Sequence, residues 1–76
     1  MVRAWIIMQT EPGTAAEAAR TVGQLSGVTA AEQVLGHYDV IARVTGHDLD
    51  EVGRLARAVQ LVAGVTRTLT CWQDGK

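Results

Sequence analysis

A single cysteine, a single serine and a single proline stand in a chain of 76 residues, and phenylalanine is absent. Each shortage excludes something. One thiol, Cys71, cannot close an internal disulfide, so the fold must hold without a covalent staple and suits a reducing compartment. With no C-x-x-C partner it reads as a small strand hydrophobe and not as a reactive thiol. Ser26 stands alone at a helix end, so a serine nucleophile with a paired base has no candidate. Charged residues make up only 20% of the chain and the net charge is −1, without the clustered Lys and Arg that nucleic acid demands; direct nucleic-acid binding is not expected. The glycines lie scattered at turns and helix ends and form no phosphate loop. The longest apolar run, Ala4-Trp5-Ile6-Ile7-Met8, falls far short of the roughly 20 residues a membrane helix needs, and no signal-peptide pattern precedes it. The cytoplasm is the expected location, with no membrane partner.

What is present is apolar. Hydrophobic residues reach 47%, which excludes disorder, yet 76 residues form one small domain, 1–76, whose core yields a net stability of only ~5 kcal/mol. A partner surface is therefore expected.

The centre of the sequence, Leu35-Gly36-His37-Tyr38-Asp39-Val40-Ile41, divides it into two similar halves. Gly27-Val28-Thr29 returns as Gly64-Val65-Thr66, and that alignment sets Ala19 on Ala56, Val22 on Val59 and Leu25 on Val62. Each half reads strand, helix, strand. Val2 to Thr10 is a strand with apolar groups on both faces: Ala4, Ile6 and Met8 on one, Trp5 and Ile7 on the other. Glu11-Pro12-Gly13 marks a turn, and Thr14-Ala15-Ala16-Glu17 has the form of a capping box for a helix ended by Gly27. Its apolar stripe is Ala15, Ala18, Ala19, Val22 and Leu25. Val28 to Leu35 and Tyr38 to Thr45 are predicted as antiparallel neighbours joined by a two-residue turn at Gly36-His37. Asp48 caps a second helix, striped by Leu49, Val52, Leu55, Ala56, Val59 and Val62 and ended by Gly64, before a last strand from Val65 to Gln73. The order β-α-β-β-α-β specifies an α+β, ferredoxin-like sandwich with both helices on one face of a four-stranded antiparallel sheet. The other face, with Trp5, Ile7 and Trp72, is expected to meet a second copy, giving a dimeric α+β barrel by sheet-to-sheet dimerisation.

Candidate functional residues are few. His37 and His47 flank the third strand at opposite ends, too far apart to share a metal, and Asp48, Asp50 and Glu51 are explained as helix caps; no metal site and no cofactor are expected. Tyr38-Asp39 places a phenol and a carboxylate where a bare hairpin needs neither, although local turn hydrogen bonding would account for Asp39. Thr66, Thr68 and Thr70 put hydroxyls on one strand face with Arg67 on the other, although β-propensity alone favours threonine there.

These residues carry a family likeness. Gly36-His37-Tyr38-Asp39-Val40-Ile41 resembles the G-x-Y-D-hydrophobic-hydrophobic signature of the effector-binding (RAM) domain of the Lrp/AsnC, or feast/famine, transcription regulators. Thr10-Glu11-Pro12-Gly13, Gly27-Val28, Asp48-Leu49 and the strand from Gly64 to Cys71 agree in order and spacing, so the likeness spans nearly the whole chain. The resemblance implies a non-enzymatic domain that dimerises sheet to sheet, assembles further into octamers or decamers, and binds a small effector, typically an amino acid, between dimers. It assigns the effector site to Gly36, His37, Tyr38, Asp39, Thr66, Arg67, Thr68 and Thr70, with His37 at the variable position. The family's full-length regulators carry an N-terminal helix-turn-helix domain, and this chain looks like a stand-alone form able to join such relatives. Two other readings share the strand order: a small cofactor-free monooxygenase of the dimeric α+β barrel type, with Trp5 and Trp72 in its cavity, and an ACT-like regulatory module.

Overall fold

The structure, a computed structural model, is described for residues 1–73. Its elements are β1 (Val2–Thr10), α1 (Ala15–Gly23), β2 (Val28–Gln33), β3 (Val40–Gly46), α2 (Leu49–Gln60) and β4 (Val65–Trp72). The strands make one antiparallel sheet in the order β2-β3-β1-β4, so the two most apolar strands lie inside and the threonine-rich and mixed ones form the edges. This is the expected ferredoxin-like α+β sandwich. Facing pairs Ala4–Val44, Ile6–Ala42 and Met8–Val40 floor the core, and Ala18 and Val22 of α1 with Val52 and Val59 of α2 roof it. None of these is more than 1% exposed, and no polar residue is buried among them.

Both helices stop before the glycines expected to end them. The chain leaves α1 at Gly23 through a tightening turn in which Gln24 and Leu25 donate to the carbonyls of Thr21 and Val22. Leu61 and Val62 do the same after α2, donating to Ala58 and Val59. Gly27 (φ +96°) and Gly64 (φ +92°) then turn each chain into its edge strand. Leu25 and Val62 still pack against the core, so the apolar stripes outlast the helices.

The caps differ from expectation in one half only. Asp48 Oδ1 accepts the Glu51 amide at 2.9 Å, and Glu51 Oε1 accepts the His47 amide at 2.7 Å, closing a capping box one residue wider than the usual one. Thr14 makes no side-chain cap; its hydroxyl donates to the Glu11 carbonyl, and Glu17 pairs with Arg20. A ψ of 0° at Thr14 holds its backbone away from the extended form in which a threonine hydroxyl reaches the amides of the first turn.

The central hairpin is wider than a two-residue turn. Pairing ends at Gln33–Val40, and Val34 to Asp39 form a loop closed by the Val34 amide on the Asp39 carbonyl. Leu35 and Tyr38 therefore leave the ladder. Gly36, at φ +140°, takes the positive-φ position at the loop tip.

Candidate functional site

The strand directions gather at one end of the sheet the close of β1, the 34–39 loop, the start of α1 and the start of β4. Two residues, Gln9 and Thr10, link them. Asp39 Oδ2 accepts the Thr10 amide at 2.8 Å, while the Asp39 amide donates to the Met8 carbonyl. Gln9 Nε2 donates to the His37 carbonyl at 2.8 Å, and the Thr66 hydroxyl donates to the Gln9 carbonyl at 3.2 Å. The Glu11 amide closes the circuit on the Gly64 carbonyl. Asp39 therefore makes a contact across the fold, from one half of the chain to the other, and not the local turn bond that composition alone would assign to it.

Most of the sequence-assigned residues meet here. Tyr38 and Asp39 are half-buried, and Gly36 and His37 are exposed at the loop. A shift of register between Gln9 and Thr10 sets Val65 opposite Thr10 and Arg67 opposite Gln9, with Thr66 between them. Thr68 lies opposite Met8 on the helix-bearing face, and Gln60 Nε2 donates to its hydroxyl at 3.0 Å. Arg67 lies opposite Gln9 on the open face. Thr70 pairs with Ile6 in mid-strand, away from the loop. Gln60, Val65, Thr66, Arg67 and Thr68 line a hollow of about 230 Å³ at this end. Gln9, Thr10 and Gln60 were missed by sequence reasoning; a carboxamide closing an otherwise apolar strand was the available signal for Gln9.

The open face of the sheet is also defined by register. Ile41, Ile7 and Leu69 form one row across it, and Arg43, Trp5 and Cys71 the next, with the Arg43 guanidinium 4.5 Å from the centre of the Trp5 ring. Trp72 is not part of this face. It pairs with Ala4, which faces the core, so its indole belongs to the helix side at the end of β4, 49% exposed. Cys71, expected as a buried hydrophobe, is exposed opposite Trp5 on the edge strand β4.

At the opposite end of the sheet a larger hollow of about 500 Å³ includes His47, Glu51, Arg54 and Thr45. His37 and His47 sit at opposite ends of β3, and among the described residues no group of His, Cys, Asp or Glu is placed to hold a metal ion. No helix among them is long and apolar enough to cross a membrane.

Comparison with solved structures places this arrangement among known folds. A hypothetical protein from Pyrococcus horikoshii superposes with a TM-score of 0.89 at 25% identity, over 100% of this chain and 93% of its own. A protein from Thermus thermophilus gives 0.92 at 22% identity, over 100% and 96%. The AsnC protein of E. coli gives 0.83 at 22% identity over 99% of this chain, which spans only 53% of AsnC. No curated protein matches the sequence. The model of the Lrp/AsnC ligand binding domain matches residues 3–72, a span that takes in the 34–39 loop, Gln9-Thr10 and β4 alike, and the chain belongs to that family.

Proposed function

We propose that this regulatory ligand-binding domain senses a small amino acid at the end of the sheet that carries the 34–39 loop and the start of β4, on either side of the close of β1, and that it works as an assembly of copies. The observation that carries the reading is the shared anchorage of both stretches: Asp39 and Thr66 bond to adjacent residues, Thr10 and Gln9, so a ligand touching either stretch bears on the other. Backbone amides of the loop supply donors for a carboxylate, and threonine hydroxyls or the free oxygen of Asp39 accept from an ammonium. Trp5, Ile7, Ile41 and Leu69 supply the apolar patch through which two copies pack sheet to sheet, with dimers joining into octamers or decamers and, where present, with full-length relatives. Burying this patch adds the apolar area that a core of this size lacks.

The enzyme reading is the weaker one. The face that would line a barrel presents Trp5, Arg43, Arg67, Glu32 and Cys71 but, among the described residues, neither the histidine nor the tyrosine that line the cavity of such enzymes.

A thermal-shift screen of the common amino acids, with particle size measured by light scattering in the same samples, tests the sensor reading. One or more ligands should raise the melting temperature and change the size. A flat response across the whole panel overturns it. For the assembly, Ile7→Asp would set a carboxylate in the middle of the patch and is expected to give monomer at micromolar concentration. Unchanged assembly by sedimentation would remove the open face from the interface.

A further inference from the structure

The register fixes which charges lie on the open face and on which strand. Glu32 of β2 stands in the row of Ile41, Ile7 and Leu69, and Ala30 in the row of Arg43, Trp5 and Cys71. Arg67 of β4 lies one row beyond Leu69, opposite Gln9. Since β2 and β4 are the two outer strands, one edge of this face is acidic and the other basic. Both side chains are exposed, and the one ion pair among the described residues is Glu17–Arg20, so neither Glu32 nor Arg67 has an ionic partner there.

Two copies of the face can pack about a two-fold axis that runs along the strands or across them. An axis along the strands turns β2 of one copy over β4 of the other and leaves every row facing itself. Ile41 then meets the other copy's Ile7, Ala30 meets Cys71, and Glu32 comes over Leu69, one row from Arg67. Packed sheets lie about 10 Å apart and the next residue on the same face of a strand is about 7 Å away, a span that a glutamate and an arginine side chain bridge together. Symmetry makes the pair twice. Arg43, whose guanidinium is 4.5 Å from the centre of its own Trp5 ring, comes over the second copy's Trp5 as well, so its charge enters the interface between two indoles.

An axis across the strands instead sets β2 over β2 and β4 over β4. Stacking the Ile41-Ile7-Leu69 rows on each other then also stacks Glu32 on Glu32, a like-charge contact at the rim of a patch that is losing its water.

We propose that copies of this chain pack sheet to sheet about an axis parallel to the strands, with Glu32 of each copy paired to Arg67 of the other. This rests on the assembly reading above and adds its orientation. It also gives Arg67 to the contact between copies, where the family likeness sets it in the effector site.

Association constants from sedimentation equilibrium, with melts to show each variant folded, test the pairing. Glu32→Arg should weaken association about tenfold or more, since it brings two arginines together at both edges. Glu32→Gln should weaken it about threefold or more, as two partly exposed pairs are lost. Combining Glu32→Arg with Arg67→Glu in one chain exchanges the charges and should restore association to within about threefold of the wild type. Orientation has a readout independent of charge. Ala30→Cys sets a thiol facing the other copy's Cys71, and a bismaleimide with a spacer of about 10 Å, the separation of packed sheets, should join the chains of that variant. The wild type, whose two Cys71 thiols would lie at opposite edges of the sandwich, should stay unjoined. Association unaltered by Glu32→Arg, a tighter dimer in Glu32→Gln, no recovery in the exchanged variant, or wild-type chains joined through Cys71 would overturn the proposal and leave sheet-to-sheet packing standing. A monomeric wild type, or association that Ile7→Asp leaves undisturbed, would overturn both.

Discussion

The two halves of the chain use the same device to join helix to edge strand and different devices to start the helix. In each half a left-handed glycine follows the helix, and its carbonyl accepts an amide from the end of the other half's inner strand: Thr45 donates to Gly27, and Glu11 donates to Gly64. The glycines also sit against the other half, Gly27 under Leu55 and Gly64 under Thr14. The junctions are therefore where the halves hold each other. The helix starts diverge because Thr14 packs over the Gly64 junction with its hydroxyl on the Glu11 carbonyl and does not serve α1, whereas the Asp48 carboxylate accepts the Glu51 amide within its own half and caps α2. Repetition survives where the halves meet and is lost where only one of them is served.

The sharpest way to break this comparison is to put a methyl group at each junction. A Cβ at Gly27 would stand 2.9 Å from Leu55 Cδ2 and 3.1 Å from the Thr45 carbonyl oxygen, a backbone atom that cannot swing aside. A Cβ at Gly64 would stand 2.8 Å from the Thr14 hydroxyl and 3.0 Å from its Cβ. Positive φ adds strain to both substitutions, so Gly27→Ala and Gly64→Ala are each expected to cost about 1–3 kcal/mol in denaturant unfolding, Gly27→Ala the more. Affinity separates them further. Gly64→Ala disturbs the end of the sheet that holds the candidate site and should weaken effector binding, whereas Gly27→Ala should leave affinity per folded molecule unchanged.

A second difference between the halves is the loop that follows β2, which no segment after β4 repeats within the described residues. Asp39 is its anchor. Asp39→Ala leaves the Thr10 amide half-buried without an acceptor, and a loss of about 1–3 kcal/mol in stability is expected. Asp39→Asn keeps a carbonyl oxygen for that amide and should recover most of the stability. If Asp39 also takes the effector's ammonium, Asp39→Asn should still lose about 1.5–3 kcal/mol of affinity, because the charge that assists the contact has gone. Normal calorimetric affinity in the folded Asn variant would return Asp39 to a purely structural role.

Period and punctuation made most of the fold legible. Alternation in Val2 to Thr10 identified both faces of β1, and the Ala18–Val22 and Val52–Val59 spacings identified the helix residues that are fully buried. Turn chemistry was less legible. Gly36-His37 fits a two-residue turn locally, but the Asp39 amide and carboxylate are both recruited by β1, which widens the loop; that competition is between segments 29 residues apart and leaves no local trace. Trp72 was misplaced for a related reason. Its alternation with Cys71 was clear, but which set faces the helices is fixed only by the register against β1. In the candidate site the loop and strand residues were named through the family signature, while Gln9, Thr10 and Gln60, which tie them together, follow only from strand order.

The smallest expected effects test the helix starts themselves. Asp48→Ala removes the acceptor of the Glu51 amide and loosens the reciprocal bond from Glu51 to His47, so a loss of about 1 kcal/mol is expected, within the usual range for a true cap. Thr14→Ala removes no cap, since the Thr14 hydroxyl donates to Glu11, and should cost no more than about 0.5 kcal/mol, the range of surface changes away from special features. The pairing with Gly64 makes the comparison sharper. If Thr14 is held by its packing over the glycine, then removing its hydroxyl and γ-methyl should make room for a methyl group at position 64. The double variant Thr14→Ala with Gly64→Ala should then be more stable than the two single costs predict, by about 0.5 kcal/mol or more in a double-mutant cycle, while Asp48→Ala with Gly64→Ala should be additive. Additivity in both cycles would mean that strain at Gly64 comes from its φ alone, and that Thr14 fails to cap α1 for a reason other than its contact with the second half.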